Sequence, residues 1–251
     1  MFDSSKKRHR LRIIIPGYAT FNVYSDIASK TTALGPVSIA SSVHEMEGWD
    51  VEVIDENNLR CHGPKTESGR ADHDFLQRQR PADIIGLYGG LTSTIPRLYE
   101  IAAIYKKMGL TTITGGQHFI DENIPEALNA GIDYVIIGEG EETIRDLLLT
   151  LEKKGDVSSV AGIAYMQNGE IKYTLHREPI TDFSKLPLPN FSLVRYAKIK
   201  TYPISRIRGC EMHCEFCTVK GKPRCASPER LMESISFLVE TRDARNFFIV
   251  D

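Results

Sequence analysis

Between residues 11 and 153 the same pattern repeats five times: a short apolar run, a break rich in glycine or proline, then a stretch with helical spacing. The runs are Leu11–Ile15, Val51–Asp55, Ile84–Tyr88, Thr111–Thr114 and Tyr134–Ile137. Each is too short to be a helix and reads as a buried strand. Between them, Val37, Ala40, Val43 and Met46 form one helical stripe, and Leu98, Ile101, Ala102 and Tyr105 form another. A further helix is expected from Glu142 to Lys153, and short ones over Ile124–Asn129 and around Asp74–Gln79. Strand–helix alternation on this scale leaves few options besides a parallel sheet with helices on both faces. The expectation is an α/β, flavodoxin-like (Rossmann-like) five-stranded sheet in the order 2-1-3-4-5. Such sheets bind ligands beyond the carboxyl ends of their strands. The glycine-rich breaks all follow strands, so they gather at that edge.

Past this unit, Ile163–Met166 and Ile171–Leu175 flank Asn168-Gly169, a two-residue hairpin turn. Leu186-Pro187-Leu188-Pro189 then reads as an ordered linker. A new strand begins at Tyr202. Ser227 is placed to cap a helix with Pro228 in its first turn, and Phe247–Val250 is a last strand. The expected division is residues 11–155, then a hairpin and linker over 156–200, then 201–251.

Cys210, Cys214 and Cys217 fall at Cys-x3-Cys-x2-Cys spacing in a short loop. Thiolates this close can hold three corners of one soft metal centre. A cluster bound by three protein thiolates keeps one iron open to another ligand. Structural zinc would instead need a fourth ligand, with His213 or Cys225 at hand. Three reduced, unliganded thiols are the remaining alternative. Three of five cysteines packed into eight positions do not make a disulfide framework and point to a reducing cytoplasm.

Composition narrows the partners. With 41% hydrophobic and 25% charged residues the chain is of ordinary globular type. No apolar run approaches the length of a membrane span. The net charge of −2 is uneven: residues 176–251 carry 13 Lys/Arg against 9 Asp/Glu, and residues 1–175 carry 18 against 24. That excess is too small to argue for nucleic acid, and no basic stripe interleaved with aromatics exists. The basic N-terminal stretch Lys6–Arg10 reads as a solvated tail.

The cysteine loop, led in by Arg208-Gly209 and carrying Phe216 just before its third cysteine, resembles the radical S-adenosylmethionine superfamily. The resemblance implies a 4Fe-4S cluster held by Cys210, Cys214 and Cys217, with S-adenosylmethionine at the open iron. It implies reductive cleavage to a 5′-deoxyadenosyl radical, fed by an external electron donor, and Phe216 beside the cofactor. The stretch from Tyr202 to Asp251 is similar to the opening of that superfamily's βα barrel. The expectation is therefore a truncated start of the barrel, inactive alone.

Residues 11–155 resemble the cobalamin-binding domain that precedes many such cores. The resemblance rests on Leu34-Gly35-Pro36, Val51–Asp55, Gly89-Gly90-Leu91-Thr92-Ser93-Thr94, Gly115-Gly116-Gln117-His118, Gly131–Val135 and Gly138-Glu139-Gly140-Glu141. It implies cobalamin contacts at Gly89, Gly90, Thr92, Ser93, Thr94, Gly115, Gly116, His118, Gly138, Glu139 and Gly140. Glycines let backbone approach a nucleotide tail closely, and the hydroxyls supply hydrogen bonds. Glu139 and Glu141 suit ribose hydroxyls or, equally, a helix N-terminus. Where some cobalamin domains carry Asp-x-His-x-x-Gly, this chain has Pro16-Gly17-Tyr18-Ala19-Thr20, with no histidine for cobalt. The layout is similar to magnesium-protoporphyrin IX monomethyl ester oxidative cyclases and cobalamin-dependent radical methyltransferases. The implied reaction is radical methylation or oxidative cyclisation of a small molecule that the sequence does not identify. Radical chemistry without cobalamin, and a fragment that only binds cofactor, are the other readings. Radical methylthiotransferases carry further cluster cysteines upstream; here only Cys61 is available. Cys61-His62 has no ligand partner nearby in sequence.

Overall fold

The computed structural model describes residues 9–18, 25–212, 214–215, 217–219 and 221–251. Strand β1 (His9–Ile15) lies in the middle of the main sheet. Its side chains alternate between two cores. Leu11, Ile13 and Ile15 join Val51 and Val53 on one face; Ile14 joins Ile54 on the other. This is the period-2 alternation of a strand covered on both sides.

After α1 (Ser25–Ala28), helix α2 (Leu34–His44) brings Val37, Ala40 and Val43 to the first face. Strand β2 (Trp49–Asp55) pairs parallel with β1, in register Leu11 with Val51 and Ile13 with Val53. Helices α3 (Glu56–His62) and α4 (His73–Gln79) follow. Strand β3 (Ile84–Tyr88) pairs parallel on the other side of β1. Helix α5 (Ile95–Lys107), strand β4 (Thr111–Gly115), helix α6 (Ile124–Asn129), strand β5 (Tyr134–Ile136) and helix α7 (Gly140–Glu152) complete the alternation. Helix α5 buries Leu98, Ile101 and Tyr105 on the second face, and α7 buries Ile144, Leu147 and Leu148 on the first. The order β2-β1-β3-β4-β5 is the expected one, and all four pairings are parallel.

The sheet does not stop at five strands. The hairpin β6 (Ile163–Gln167) and β7 (Glu170–Tyr173) extends it antiparallel from β5, with Tyr134 opposite Tyr165. Asn168 and Gly169 both take positive φ in its turn. At the other edge, the two-residue β8 (Val194–Arg195) adds to β2. The result is an eight-stranded mixed sheet, β7-β6-β5-β4-β3-β1-β2-β8. Both edges of a bare five-stranded sheet would expose unpaired backbone, and these additions cover them. Helix α3 is a second departure: the helix expected around Asp74–Gln79 is α4, but none was expected directly after the second strand, where α3 lies. Its inward residues are Glu56, Asn57 and Asn58, buried through hydrogen bonds, and Leu59, which alone joins the apolar core.

Strand β9 (Thr201–Ile204) pairs parallel with the final strand β12 (Asn246–Ile249). Between them, β10 (Ile207–Arg208) and β11 (Arg224–Cys225) form an antiparallel ribbon at the base of the cysteine loop. Helix α8 (Pro228–Arg242) begins as expected: the Ser227 side chain accepts from the Arg230 N–H at 3.1 Å. Its Leu238, with Tyr202 and Ile204 of β9, joins the same core as α2 and α7. No helix among the described residues is long and apolar enough to cross a membrane.

Candidate functional site

The carboxyl ends of β1 to β5 form one wall of a cavity of about 1090 Å³. The start of the cysteine loop and the linker over Leu186–Pro189 form the opposite wall. Drug-sized ligands occupy roughly 300–1,000 Å³, so the space suits a large cofactor. Gly90, Thr94, Gly115, Gly116, Gly138, Glu139 and Gly140 lie on the sheet side; Cys210 and Cys217 lie on the other.

The two glycine pairs after β3 and β4 are stitched together. Gly89 N–H donates to Gly115 O at 2.8 Å, and His118 N–H donates to Gly89 O at 2.9 Å. A Cβ on Gly89 would fall 2.2 Å from the Phe119 ring. Gly89 is therefore required by packing behind the wall and does not line it. By contrast, Gly138 has φ +80° and nothing within 4 Å of a Cβ, so it leaves open space on the wall.

Two of the three expected hydroxyls are engaged internally. Thr94 donates to Leu91 O at 2.8 Å, and Thr92 Oγ1 pairs with His118 Nδ1 at 3.1 Å. Ser93 is exposed. The other ring nitrogen of His118, Nε2, is shut off from solvent with no protein partner. Burial lowers the His118 pKa against the opposing charge of Glu126, which favours the neutral ring.

Glu139 and Glu141 are likewise engaged. Glu139 accepts from Ile180 N–H at 2.6 Å and from Arg224 at 2.9 and 3.0 Å. Glu141 accepts from Arg208 at 2.6 Å. Burial opposes ionisation of Glu139, but the Arg224 and Ile180 hydrogen bonds and the nearby Arg208 charge outweigh it, and its pKa falls. The ribose contacts expected of these carboxylates would have to be shared with arginines.

Sequence reasoning missed several wall residues. Asp55, at the end of β2, is 2% exposed. Burial raises its pKa to about 6, while hydrogen bonds from Thr32 and Asn57 pull the other way. Tyr18 stands near it and Tyr88 near Tyr18, with both phenols made harder to ionise by burial. Next to it in sequence, Glu56 carries the opposite shift. Burial would raise its pKa, but hydrogen bonds from His73 and Arg97 hold it at about 2. Its Oε2 also accepts from the Gly17 N–H at 2.8 Å, which fixes the loop after β1. Asp251 ties the end of β12 to the entry of the cysteine loop, accepting from the N–H groups of Arg206 and Ile207 at 2.6 and 2.9 Å. Only the strand ends could have signalled Asp55; Asp251 had no local signal.

In the cysteine loop, Cys217 N–H donates to Cys214 O at 3.2 Å, closing a turn between the last two cysteines. No cysteine forms a disulfide. Among the described residues, no three His, Cys, Asp or Glu side chains are gathered tightly enough to hold a metal ion. Phe216 and His213 lie outside the described residues, as do Ala19, Thr20 and Lys6–Arg8. The donor set itself fits an iron–sulfur cluster: three soft thiols, two of them on the cavity wall, with a turn joining the second and third. Cys225 is exposed on the ribbon opposite Ile207 and does not line the cavity; Cys61 is exposed at the end of α3.

A doubly covered α/β sheet with a glycine-lined rim, facing a loop of three thiols, defines a cofactor-binding module of the open-sheet type. The B12 binding domain model matches residues 23–148, half of the chain, and the chain belongs to that family. An uncharacterized methyltransferase of Pyrococcus horikoshii is 29% identical over 218 residues, covering 82% of this chain and 45% of that protein. The anaerobic magnesium-protoporphyrin IX monomethyl ester cyclase of Synechocystis is 27% identical over 236 residues, covering 87% and 44%. The chain thus spans less than half the length of these curated relatives. Among solved structures, the cobalamin-dependent S-adenosylmethionine radical enzyme OxsB, with aqua-cobalamin and S-adenosylmethionine bound, superposes with a TM-score of 0.71 at 19% identity, over 97% of this chain and 34% of that one. The radical S-adenosylmethionine methyltransferase TsrM of Kitasatospora setae gives 0.68 at 15%, over 97% and 47%. At these identities the likeness is one of fold.

Proposed function

We propose that this chain supplies the cofactor-binding portion of a cobalamin-dependent radical S-adenosylmethionine enzyme, acting in methylation or oxidative cyclisation. The observation that carries the reading is the shared cavity, with the rim of a B12-family sheet on one wall and Cys210 and Cys217 on the other. Residues 11–155 form the cobalamin module, 156–200 the hairpin and linker that complete its sheet, and 201–251 the cluster-bearing segment.

When bound, the three groups would supply a one-electron donor, a radical source and a methyl carrier or redox partner. The protein's part is to hold and orient them. Cys210, Cys214 and Cys217 would hold the cluster as its three protein thiolates. Gly90, Gly115, Gly116, Gly138 and Gly140 let backbone come close to a nucleotide tail without side chains in the way. Thr94 lines that path, whereas Thr92, Ser93 and His118, expected to contact the tail, lie outside the cavity lining. Asp55 and Tyr18 close the floor after β2 and β1. Pro187 and Pro189 of the linker line the cavity as well. An external electron donor and a reducing compartment follow from the cluster chemistry.

Anaerobic reconstitution with iron and sulfide tests the cluster. The wild-type protein should gain the broad visible absorbance of thiolate-bound iron–sulfur clusters, and Cys214→Ala should abolish it. Unchanged absorbance in Cys214→Ala, or zinc saturating the three sulfurs with a fourth protein ligand, would overturn the assignment. Radical chemistry without cobalamin is the rival, and a cobalamin titration separates the two.

A further inference from the structure

Arg208 and Arg224 are directly opposite each other in the β10–β11 ribbon. Cross-strand partners project to the same face, and like charges placed so repel. The ribbon is the base of the cysteine loop, with Arg208 two residues before Cys210 and the loop returning at Arg224. A repulsive pair at that base would splay the loop unless an anion stood between the guanidiniums.

Glu139 is that anion. It sits outside the ribbon, in the turn between β5 and α7, on the sheet side of the cavity. Its carboxylate takes Arg224 in a two-point contact at 2.9 and 3.0 Å and lies 3.4 Å from Arg208. Glu141 holds the second guanidinium at 2.6 Å. Both guanidiniums also lie over the Phe183 ring, 5.3 and 5.9 Å from its centroid. Arg224 further donates to Ile180 O, while Ile180 N–H donates to Glu139. Fork-to-carboxylate pairs of this kind fix orientation as well as charge.

We propose that Glu139 is a positioning residue. Through Arg224 and Arg208 it sets the cysteine loop at a fixed distance from the glycine rim, so that the two walls act as one site. The inference rests on the cofactor reading above, but it assigns Glu139 to the opposite wall rather than to a direct ribose contact. Loss of the clamp loosens both cofactor sites together, although neither arginine needs to touch a cofactor.

The test is a hydroxocobalamin titration, followed by corrin absorbance, of cluster-reconstituted wild type, Glu139→Gln, Arg224→Gln and the double variant. Each single change should weaken binding by about tenfold, and the double variant should be no worse than either. Arg224→Lys keeps the charge without the two-point contact and should also weaken binding, so it carries the test if Glu139→Gln does not fold. Weakening by Glu139→Gln with Arg224→Gln unaffected would show a direct contact and overturn the clamp. Additive losses would overturn it too. A second readout needs no cobalamin: alkylation of Cys210 and Cys217 by iodoacetamide, with exposed Cys61 as internal reference. The clamp predicts severalfold faster labelling relative to Cys61 in both single variants; an unchanged ratio contradicts it. If wild type fails to bind hydroxocobalamin, the cofactor reading falls, and the labelling ratio still decides the clamp.

Discussion

A Cβ built on Gly116 would lie 2.6 Å from the carbonyl oxygen of Gly89, so the turns after β4 and β3 touch backbone to backbone. Gly116 also has φ +120°, a conformation that side chains scarcely tolerate. Both facts place the demand for glycine in the contact between the two turns. Gly116→Ala should therefore cost on the order of 3 kcal/mol, from a clash with backbone plus strain. Gly138→Ala has open space and an αL backbone, and should cost only about 1–2 kcal/mol. Denaturant melts of the two variants check the ranking; equal losses would refute it.

Asp55 and Glu56 are neighbours with opposite linkage. With a folded pKa of about 6 against 3.8 unfolded, Asp55 favours the folded state most below pH 4 and loses that advantage as pH rises through 6. Asp55→Asn should therefore gain stability relative to wild type between pH 4 and 7, by up to roughly 3 kcal/mol. Glu56, held at about 2 against 4.5, stabilises above pH 4.5 and loses its contribution as pH falls towards 2. Glu56→Gln should be most destabilised at neutral pH, with the gap to wild type closing in acid. Unfolding free energies across pH 3–8 measure both slopes; parallel curves for all three proteins would contradict the assignment.

Arg12 is fully buried in the middle of β1, with Nε on Glu52 at 2.7 Å across the strand pair. Its other donors reach Gln77, Tyr105 and the carbonyls of Leu76 and Arg80, and Glu52 in turn pairs with Arg80 at 3.0 Å and Arg195 at 3.5 Å, both more exposed than Arg12. Removing only the carboxylate leaves a buried cation poorly compensated. Glu52→Gln should cost about 3–5 kcal/mol, while the double change Arg12→Met with Glu52→Met should recover most of that loss. Equilibrium unfolding of the three proteins decides the matter; a double variant worse than Glu52→Gln would overturn it.

Cys225 sits one strand residue beyond Arg224 and is exposed, away from the cavity wall. Cys225→Ser should reconstitute with the same iron content as wild type, whereas Cys210→Ala and Cys217→Ala should not. Loss of iron in Cys225→Ser would mean that the fourth thiol closes the metal shell.

The parallel core was legible because its strands are buried on both faces and so appear as short, mostly apolar runs followed by glycine-rich breaks, interrupted in β1 and β2 by the buried pair Arg12 and Glu52 and by Asp55. Leu11–Ile15 and Val51–Asp55 announce themselves in this way. The edges were not legible. A hairpin turn at Asn168-Gly169 says that two strands pair, but not that Ile163 will find Ile136. The two residues Val194 and Arg195 are too few to show any period. Helix α3 was missed because its buried face has one apolar residue, Leu59, beside Glu56, Asn57 and Asn58, which read as loop until their partners Arg97, His73, Asp55 and Thr31 are seen. At the site, glycines and cysteines were visible from type and spacing. The roles of Glu139 and Arg224 were not, because 85 residues separate the two ends of their hydrogen bonds.

The most direct measurement of the central claim is anaerobic incubation of the reconstituted protein with hydroxocobalamin, followed by gel filtration and a spectrum of the protein peak. One cavity shared by a B12-family rim and a three-thiol loop predicts that corrin and cluster absorbance travel together with the protein, in stoichiometric amounts. A protein peak that carries the cluster but sheds all of the corrin would contradict it.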